Sequence, residues 1–409
     1  MGYSTNRGRS LPMDLYPNRI VRTQAMSSNV LNLASNGERE QPKWHWFLPT
    51  SGDGRNVTNV IDVLGQTSMN RPADVAYLTE VAQAAERAGF EAVLTPTGSG
   101  CEDAWVTCAA VAQHTEKLKF IVAFRPDAIA PAWAAHQGAT FQRLTNGRLL
   151  VNVVTGGDPF EQRSFGDHYD KESRYRRTAE FLEILKRSWS GDIYDHEGEF
   201  FKLDQGGLRR NLDGYEQPRV YFGGASPPGI AVAAKYADTY LTWGEPLDAV
   251  AAKVANVKEK AEAEGREMSF GLRIHVISRD TEDEAWLEAD RILDGIDPEA
   301  VAAAQEKFAR MESTAQSKMT ELSHSGTDGA AASREDLVIA PNLWAGVGLV
   351  REGAGTALVG SHQQVADRLL EYRDAGIDEF ILSGYPHLEE ALRFGENVRP
   401  LLDRATVSA

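Results

Sequence analysis

The sequence has little cysteine and no long apolar run, and each shortage argues against a class of protein. Its 409 residues include two cysteines, Cys101 and Cys108, which fall on one predicted helix, roughly 10 Å apart along its axis. That separation is too large for a disulfide, and without a Cys-x-x-Cys pair neither a zinc ribbon nor an iron–sulfur cluster is indicated. Low cysteine content is typical of a reducing compartment, so we expect a cytoplasmic protein.

Positive charge is also in short supply. The chain carries 43 Lys and Arg against 59 Asp and Glu, a formal net charge of −16. An acidic protein repels nucleic acid and anionic membrane surfaces, so we expect neither as a partner. No window reaches the about eighteen apolar residues of a membrane span. An anionic substrate would therefore need Arg and His side chains gathered in one place.

Strand and helix patterns alternate eight times along the chain, which predicts a (β/α)₈ TIM barrel. The strands are continuous apolar runs, as in parallel strands that are covered on both faces. The rival fold, a doubly wound sheet, would usually carry a Gly-rich phosphate turn after its first strand, and Pro49–Arg55 lacks one. The predicted strands are Trp44–Leu48, Ala92–Thr95, Phe120–Phe124, Leu149–Val154, Val220–Phe222, Tyr240–Trp243, Gly271–Ile277 and Phe380–Leu382.

The patterns also predict the domain organisation. Residues 1–42 are polar and lack the apolar stretch of a signal peptide, so we expect a flexible extension before a single barrel over 43–409. Between the seventh and eighth strands, residues 282–360 form a long insertion, which we expect to act as a lid. Within it, helices are predicted at Glu282–Asp294 and Pro298–Leu322, and a mobile Ser/Gly/Ala-rich segment at Ser323–Arg334.

The seventh strand carries two basic side chains inside an apolar run. Alternation places Arg273 and His275 on one face of this strand and its aliphatic residues on the other. Burying both groups is costly without an anionic partner. The partner could be a carboxylate of the barrel, or the pair could form a binding site for an anion, which is the interpretation we favour.

Two glycine-rich turns follow neighbouring strands. Thr155–Pro159 comes after the fourth strand and Gly223–Pro227 after the fifth. Such turns can point backbone N–H groups at a phosphate, although either one could be only a tight connection. Because active sites of this fold lie at the C-terminal ends of the strands, the two turns together favour a phosphate-bearing cofactor there.

Seven segments, in order along residues 43–402, resemble the FMNH₂-dependent alkanesulfonate monooxygenases of the bacterial luciferase-like superfamily. The most discriminating of them is Pro341–Gly360, with the sequence PNLWAGVGLVREGAGTALVG. The others are Trp46–Thr50, Cys101–Trp105, Val153–Pro159, Tyr221–Gly224, Leu241–Pro246 and Leu382–Glu390.

The resemblance implies an enzyme that cleaves the carbon–sulfur bond of alkanesulfonates with FMNH₂ and O₂, releasing sulfite and an aldehyde. It also implies a separate NAD(P)H-dependent FMN reductase as flavin supplier, and a homodimer or homotetramer. No spacing of His, Asp and Glu resembles a metal site, so we expect no metal. Two other functions stay open: another luciferase-like oxidoreductase, dependent on flavin or deazaflavin (F420) and acting on a different small anionic or organosulfur substrate, and a protein that only stores flavin.

The resemblance also implies the site residues. The catalytic set is Arg273, His275, Arg351, Tyr385, His387 and Cys101. The substrate contacts are Trp46, Trp243, Arg273 and Arg351. The cofactor contacts are Thr97, Asn152, Thr155, Gly156, Tyr175, Gly224, Ala225 and Ser226.

Some of these positions have simpler readings, and two neighbouring ones depart from the family pattern. Cys101 could be a small core residue at a helix start, and Tyr385 a turn residue before Pro386. Ser51 and Ser99 stand where close members of the family carry His and Arg. We expect both to border the pocket and to bear on substrate choice.

Overall fold

The computed structural model describes residues 41–57, 71–324 and 333–407. Most of the predicted extension, residues 1–40, therefore lies outside the described residues. In chain order the strands are β1 (Lys43–Phe47), β2 (Ala92–Thr95), β3 (Lys119–Phe124), β4 (Leu149–Val153), β5 (Tyr194–Glu197), β6 (Lys202–Gly206), β7 (Val220–Phe222), β8 (Thr239–Trp243), β9 (Ser269–Arg279), β10 (Val338–Ala340), β11 (Leu343–Trp344), β12 (Ala357–Ser361) and β13 (Glu379–Ser383).

Eight of these strands close into a parallel barrel. The order is β1-β2-β3-β4-β7-β8-β9-β13, and pairing of β8 with β9 and of β13 with β1 completes the ring. All eight predicted strands are confirmed, and the doubly wound alternative is wrong because an open sheet would leave two edges unpaired. The strands are apolar on both sides because one face fills the barrel and the other packs on helices.

The helices surround this barrel and also build the insertion. They are α1 (Val75–Arg87), α2 (Ala104–Val111), α3 (Pro131–Thr145), α4 (Pro159–Ser164), α5 (Lys171–Trp189), α6 (Pro227–Tyr236), α7 (Leu247–Ala263), α8 (Glu282–Asp294), α9 (Pro298–Ala309), α10 (Thr314–His324), α11 (Arg334–Leu337), α12 (His362–Asp374), α13 (His387–Arg393) and α14 (Arg399–Val407). Among the described residues, no helix has the length and apolar content to cross a bilayer.

Strand β9 joins the barrel to the insertion. Its first half pairs with β8 and β13, and its second half runs on to pair with β12, with His275 opposite Ala357. Strands β11 and β10 extend this edge in antiparallel fashion. The returning end of the insertion is therefore attached to the strand that carries Arg273 and His275.

The insertion differs from prediction in one place. The helix expected at Pro298–Leu322 is interrupted, because α9 ends at Ala309 and α10 begins at Thr314. Between them the chain turns toward the barrel, where the N–H of Glu312 donates to the carbonyl of Gly157 at 2.9 Å. Of the segment predicted to be mobile, residues 325–332 lie outside the described residues, while its first two residues end α10 and Arg334 begins α11.

The barrel interior is apolar in the middle and polar at the N-terminal end of the strands. Glu379 of β13 is buried there, accepting from Tyr221 at 2.6 Å and lying 3.2 Å from both His45 and Arg219. Burial alone would raise the pKa of Glu379, but hydrogen bonding and charge from these partners hold it at about 2. Active sites of this fold lie at the opposite end of the barrel, so we expect this ionised carboxylate to contribute to stability.

Candidate active site

Two arginines share one aromatic ring at the C-terminal end of the barrel. The guanidinium of Arg273 lies 4.7 Å from the ring centre of Phe47, and that of Arg351 lies 5.2 Å from it. Arg273 is buried, and its Nη2 and the Nε of Arg351 have no hydrogen-bond partner among the described residues. Within the described part of the chain, neither guanidinium pairs with a carboxylate. A barrel carboxylate, the first partner considered for the basic pair of β9, is therefore not found beside Arg273 in the described residues.

The electrostatics favour a bound anion. Burial, and then the positive charge of Arg351, lower the pKa of Arg273 from its usual value. Both burial and the neighbouring cation therefore make the charged form of Arg273 energetically unfavourable. An anion placed between the two guanidinium groups would relieve that cost.

His275 lies next to this pair but is not a second charge. Its Nε2 donates to the carbonyl of Ala354 at 3.0 Å, and its Nδ1 lies 2.7 Å from the hydroxyl of Ser383. Burial and then the nearby charges of Arg273, Arg351 and His387 lower its pKa well below the usual value. The imidazole is therefore neutral, and it stacks on the ring of Tyr385 at 5.4 Å.

Tyr385 and His387 complete the group. The Tyr385 hydroxyl accepts from Arg351 at 3.1 Å, and its ring meets that of His387 edge-on at 5.1 Å. The His387 ring is also 5.6 Å from that of Phe47. We call the six residues that meet here the anion cluster; they are Phe47, Arg273, His275, Arg351, Tyr385 and His387.

Trp46 is not where the sequence interpretation placed it. Its ring faces the helices, packs on Phe90 at 5.1 Å and is fully buried, and its Nε1 donates to the backbone carbonyl of His387. Trp46 does not line the cavity described below, so its position does not support the predicted substrate contact. Alternation along β1 places Trp46 on the outer face with Trp44, and Phe47 on the inner face with His45, so the residue that enters the cluster is Phe47.

A cavity of about 250 Å³ opens beside the cluster at the ends of β4, β7, β8 and β9. Arg273 lines it, as does the predicted substrate contact Trp243. The insertion covers it with residues 311–315 and with Glu352 and Gly353, which follow Arg351. The predicted cofactor contacts that line it are Asn152, Thr155, Gly156, Tyr175, Gly224, Ala225 and Ser226.

The two glycine-rich turns have no room for side chains. A Cβ on Gly156, which has a φ of +90°, would lie 2.5 Å from the side chain of Gln162. A Cβ on Gly224 would lie 3.2 Å from Gly229. Ser226 caps α6 by accepting from the N–H of Gly229, and the first two residues of that helix are prolines without N–H groups. The backbone donors that line this end of the cavity are therefore those of the turn before the helix, Gly224 to Ser226. The turns form a concave backbone surface that suits a phosphate group.

Sequence reasoning missed two cations on this wall. Lys171 and Arg174 lie one turn apart at the start of α5 and line the same cavity. Arg174 is buried, and its Nη2 lies 2.5 Å from the carboxylate of Glu312, while the Lys171 ammonium donates to the Glu312 carbonyl at 2.8 Å. Because they lie on a helix, the rule that active-site residues follow the strands of a barrel does not indicate them. Their i, i+3 spacing was the available signal.

Cys101 and Thr97 do not line the cavity. The Cys101 sulfur lies 3.2 Å from the hydroxyl of Ser51, and the N–H of Ser99 donates to Glu161 at 2.5 Å. The two positions that depart from the family pattern are therefore both near Cys101. Among the described residues, no hydrogen bond or ring contact joins Cys101, Ser51 or Ser99 to the anion cluster, and Thr97 does not reach the cavity wall.

A family model described as luciferase-like monooxygenase matches residues 43–379. Three solved structures with the same fold each align with 90% of this chain. A riboflavin lyase solved with modified FMN and riboflavin has a TM-score of 0.72, 21% identity and 93% of its own chain covered. The long-chain alkane monooxygenase LadA has a TM-score of 0.72 and 20% identity, and 92% of its own chain is covered. An EDTA monooxygenase from Chelativorans sp. BNC1 has a TM-score of 0.71 and 21% identity, and 94% of its own chain is covered.

Proposed function

Because the chain belongs to the luciferase-like monooxygenase family, we propose that it uses FMNH₂ and O₂ to release sulfite from an alkanesulfonate. One observation carries the choice of substrate. Arg273 and Arg351 lie over the same ring without a carboxylate partner in the described residues, next to a cavity that both glycine-rich turns line. A sulfonate is a permanent anion with three oxygens, which suits two guanidinium groups that each offer paired donors.

The cavity residues fit the phosphate end of FMN. Gly224 and Ser226 offer backbone N–H groups in the turn that precedes α6, and Lys171 and Arg174 offer positive charge on the same wall. Tyr175 and Trp243 offer flat apolar surface further along it. When bound, the reduced flavin supplies the activation of O₂ that breaking a carbon–sulfur bond requires. The sequence has no dinucleotide fingerprint, so a separate NAD(P)H-dependent reductase would supply FMNH₂.

The two arginines have different supports, which suggests different tasks. Arg273 is fixed on β9, whereas Arg351 lies on the irregular segment between β11 and β12. Closure of that segment over a bound sulfonate would bring the second guanidinium onto it and exclude water from the cavity. Substrate binding and protection of the reactive site would then occur together.

The test is sulfite release by an Arg351→Ala variant supplied with FMN, a flavin reductase and a panel of sulfonates from methanesulfonate to octanesulfonate. We expect kcat/KM to fall at least about 100-fold, since one charge-assisted contact to the reacting group is lost. Arg210→Ala is the matched control, because that side chain is 73% exposed on the surface. Release at the parent rate would contradict the proposal, and turnover only with a deazaflavin would favour the hydride-transfer alternative.

A further inference from the structure

The two histidines of the anion cluster differ in which ring atoms are free. The Nε2 of His275 carries a hydrogen, because the carbonyl of Ala354 that it contacts can only accept. Its Nδ1 is then the acceptor for the hydroxyl of Ser383. Both nitrogens of His275 are occupied by the protein, so this imidazole has no atom left to exchange a proton with a ligand.

His387 has one nitrogen occupied and one free. Its Nδ1 lies 2.8 Å from Oδ1 of Asp53, while its Nε2 is buried and has no hydrogen-bond partner in the described part of the chain. The ring lies against Phe47 and edge-on to Tyr385, so this nitrogen belongs to the anion cluster. Of the four imidazole nitrogens in the cluster, Nε2 of His387 is the one without a partner.

The hydrogen bonds of Asp53 keep its carboxylate ionised and fixed in position. It is fully buried, follows β1, and accepts from the backbone N–H groups of Gly54 and His387, each at 2.8 Å, and from the hydroxyl of Tyr77. Burial alone would raise the pKa of Asp53, but the interaction with His387 and these hydrogen bonds lower it below its usual value. An ionised carboxylate only accepts hydrogen bonds, so Nδ1 of His387 must carry the hydrogen.

We propose that Asp53 is a positioning residue that holds His387 in the Nδ1–H form, which leaves Nε2 as the proton acceptor of the reaction. The role in turnover depends on the proposed function, whereas the assignment of the ring form does not. The overall reaction converts R–CH₂–SO₃⁻, O₂ and FMNH₂ into R–CHO, HSO₃⁻, H₂O and FMN. A C–O bond to one oxygen atom of O₂ replaces the C–S bond, whose electron pair leaves with sulfite. One C–H bond is then broken: its electron pair forms the second bond of C=O as the O–O bond cleaves, the other oxygen leaves as water, and the proton passes to Nε2 before it reaches solvent or sulfite.

The direct test is NMR of protein labelled with ¹⁵N-histidine, at a pH where His387 is neutral. The His387→Gln variant identifies the His387 signals by their loss. We expect the wild-type ring to carry its hydrogen on Nδ1, and the Asp53→Asn variant to shift population to the Nε2–H form, because the new amide can donate to Nδ1. A wild-type ring with the hydrogen on Nε2 would overturn the proposal, even if the Asp53→Asn protein failed to fold.

Kinetics provide the second readout. We expect Asp53→Asn to lower kcat by roughly 100-fold or more, with the KM for the sulfonate within about threefold and the Kd for FMN unchanged. Asp127→Asn, which alters a partly buried carboxylate after β3, is the matched control, and Tyr77→Phe should retain the ring form and most activity. An unchanged kcat in Asp53→Asn would refute the role in turnover. Absence of sulfite release by the wild type would refute the proposed function instead, and the NMR result would still decide the ring form.

Discussion

At the scale of single residues, Phe47 shows how a site can hold two like charges together. An aromatic face attracts cations, and here two guanidinium groups lie within 4.7 and 5.2 Å of the same ring centre. The ring offsets part of their repulsion without neutralising them. A carboxylate at this position would hold the arginines more tightly, but it would compete with an anionic substrate. Phe47 therefore leaves the positive charge available.

Replacing Phe47 with Leu should weaken sulfonate binding. We expect the KM for the sulfonate to rise roughly tenfold, because two cation–π contacts of about 0.5–2 kcal/mol each are lost, while the Kd for FMN stays the same. Phe200→Leu is the control, since Phe200 lies under Arg176 at 6.0 Å on the surface. Sulfite release measured against sulfonate concentration gives the KM. Equal KM values in the two variants would show that the ring does not support the arginines.

At the scale of elements, helix α10 touches both ends of the candidate site. Near its start, the turn with Glu312 rests on the loop of Gly157. One turn further, the side chain of Gln316 accepts from the backbone N–H of Gly353, two residues after Arg351. The same helix therefore contacts the wall that suits a phosphate and the segment that carries the second arginine, which leads to one prediction for each end.

At the phosphate end, Glu312→Gln should tighten FMN binding. The Glu312 carboxylate pairs with Arg174 and competes with a phosphate for its charge. Because this carboxylate is partly exposed and screened by solvent, we expect only about a two- to fivefold lower Kd, measured by fluorescence titration with FMN. Glu306→Gln on α9 provides an exposed control in the same insertion. Weaker binding in Glu312→Gln would mean that the carboxylate mainly orients Arg174.

At the other end, Gln316→Ala should loosen the segment of Arg351. The side chain of Gln316 is buried, so its loss leaves the N–H of Gly353 without this partner, at a cost of about 1–3 kcal/mol. We expect the KM for the sulfonate to rise about five- to tenfold and the Kd for FMN to stay unchanged. Gln363→Ala, which removes an exposed side chain on α12, is the comparison. A normal KM in Gln316→Ala would show that this contact does not set the position of Arg351.

At the scale of the whole molecule, the barrel could be predicted because its signals are local. Continuous apolar runs identify parallel strands, and alternation within Gly271–Ile277 correctly separated Arg273 and His275 from their aliphatic neighbours. The site was harder, since its members meet only through closure of the barrel. Asp53 follows β1 and bonds His387 after β13, more than three hundred residues away, which no local pattern encodes. Trp46 was assigned to the wrong face of β1, although the polar side chains of Lys43 and His45 mark the opposite face, which Phe47 shares, as the inner one.

The buried carboxylate at the other end of the barrel gives a prediction about the stability of the whole fold. Glu379 has a pKa of about 2, below its ordinary value of 4.5, so its ionised form stabilises the native state above pH 4.5 and loses that effect as the pH falls toward 2. This pKa shift corresponds to about 3 kcal/mol of stability. The polar groups that face the Glu379 carboxylate are those of Lys43, His45, Arg219, Tyr221 and Thr239.

The Glu379→Gln variant should therefore unfold at a lower temperature than the wild type at pH 7. The difference between the two unfolding temperatures, the stability gap, should narrow between pH 4.5 and 2. Thermal unfolding followed by circular dichroism measures it, with Glu197→Gln on the exposed strand β5 as control. A gap that is constant with pH would show that the cost of the substitution comes from packing and not from the charge of Glu379.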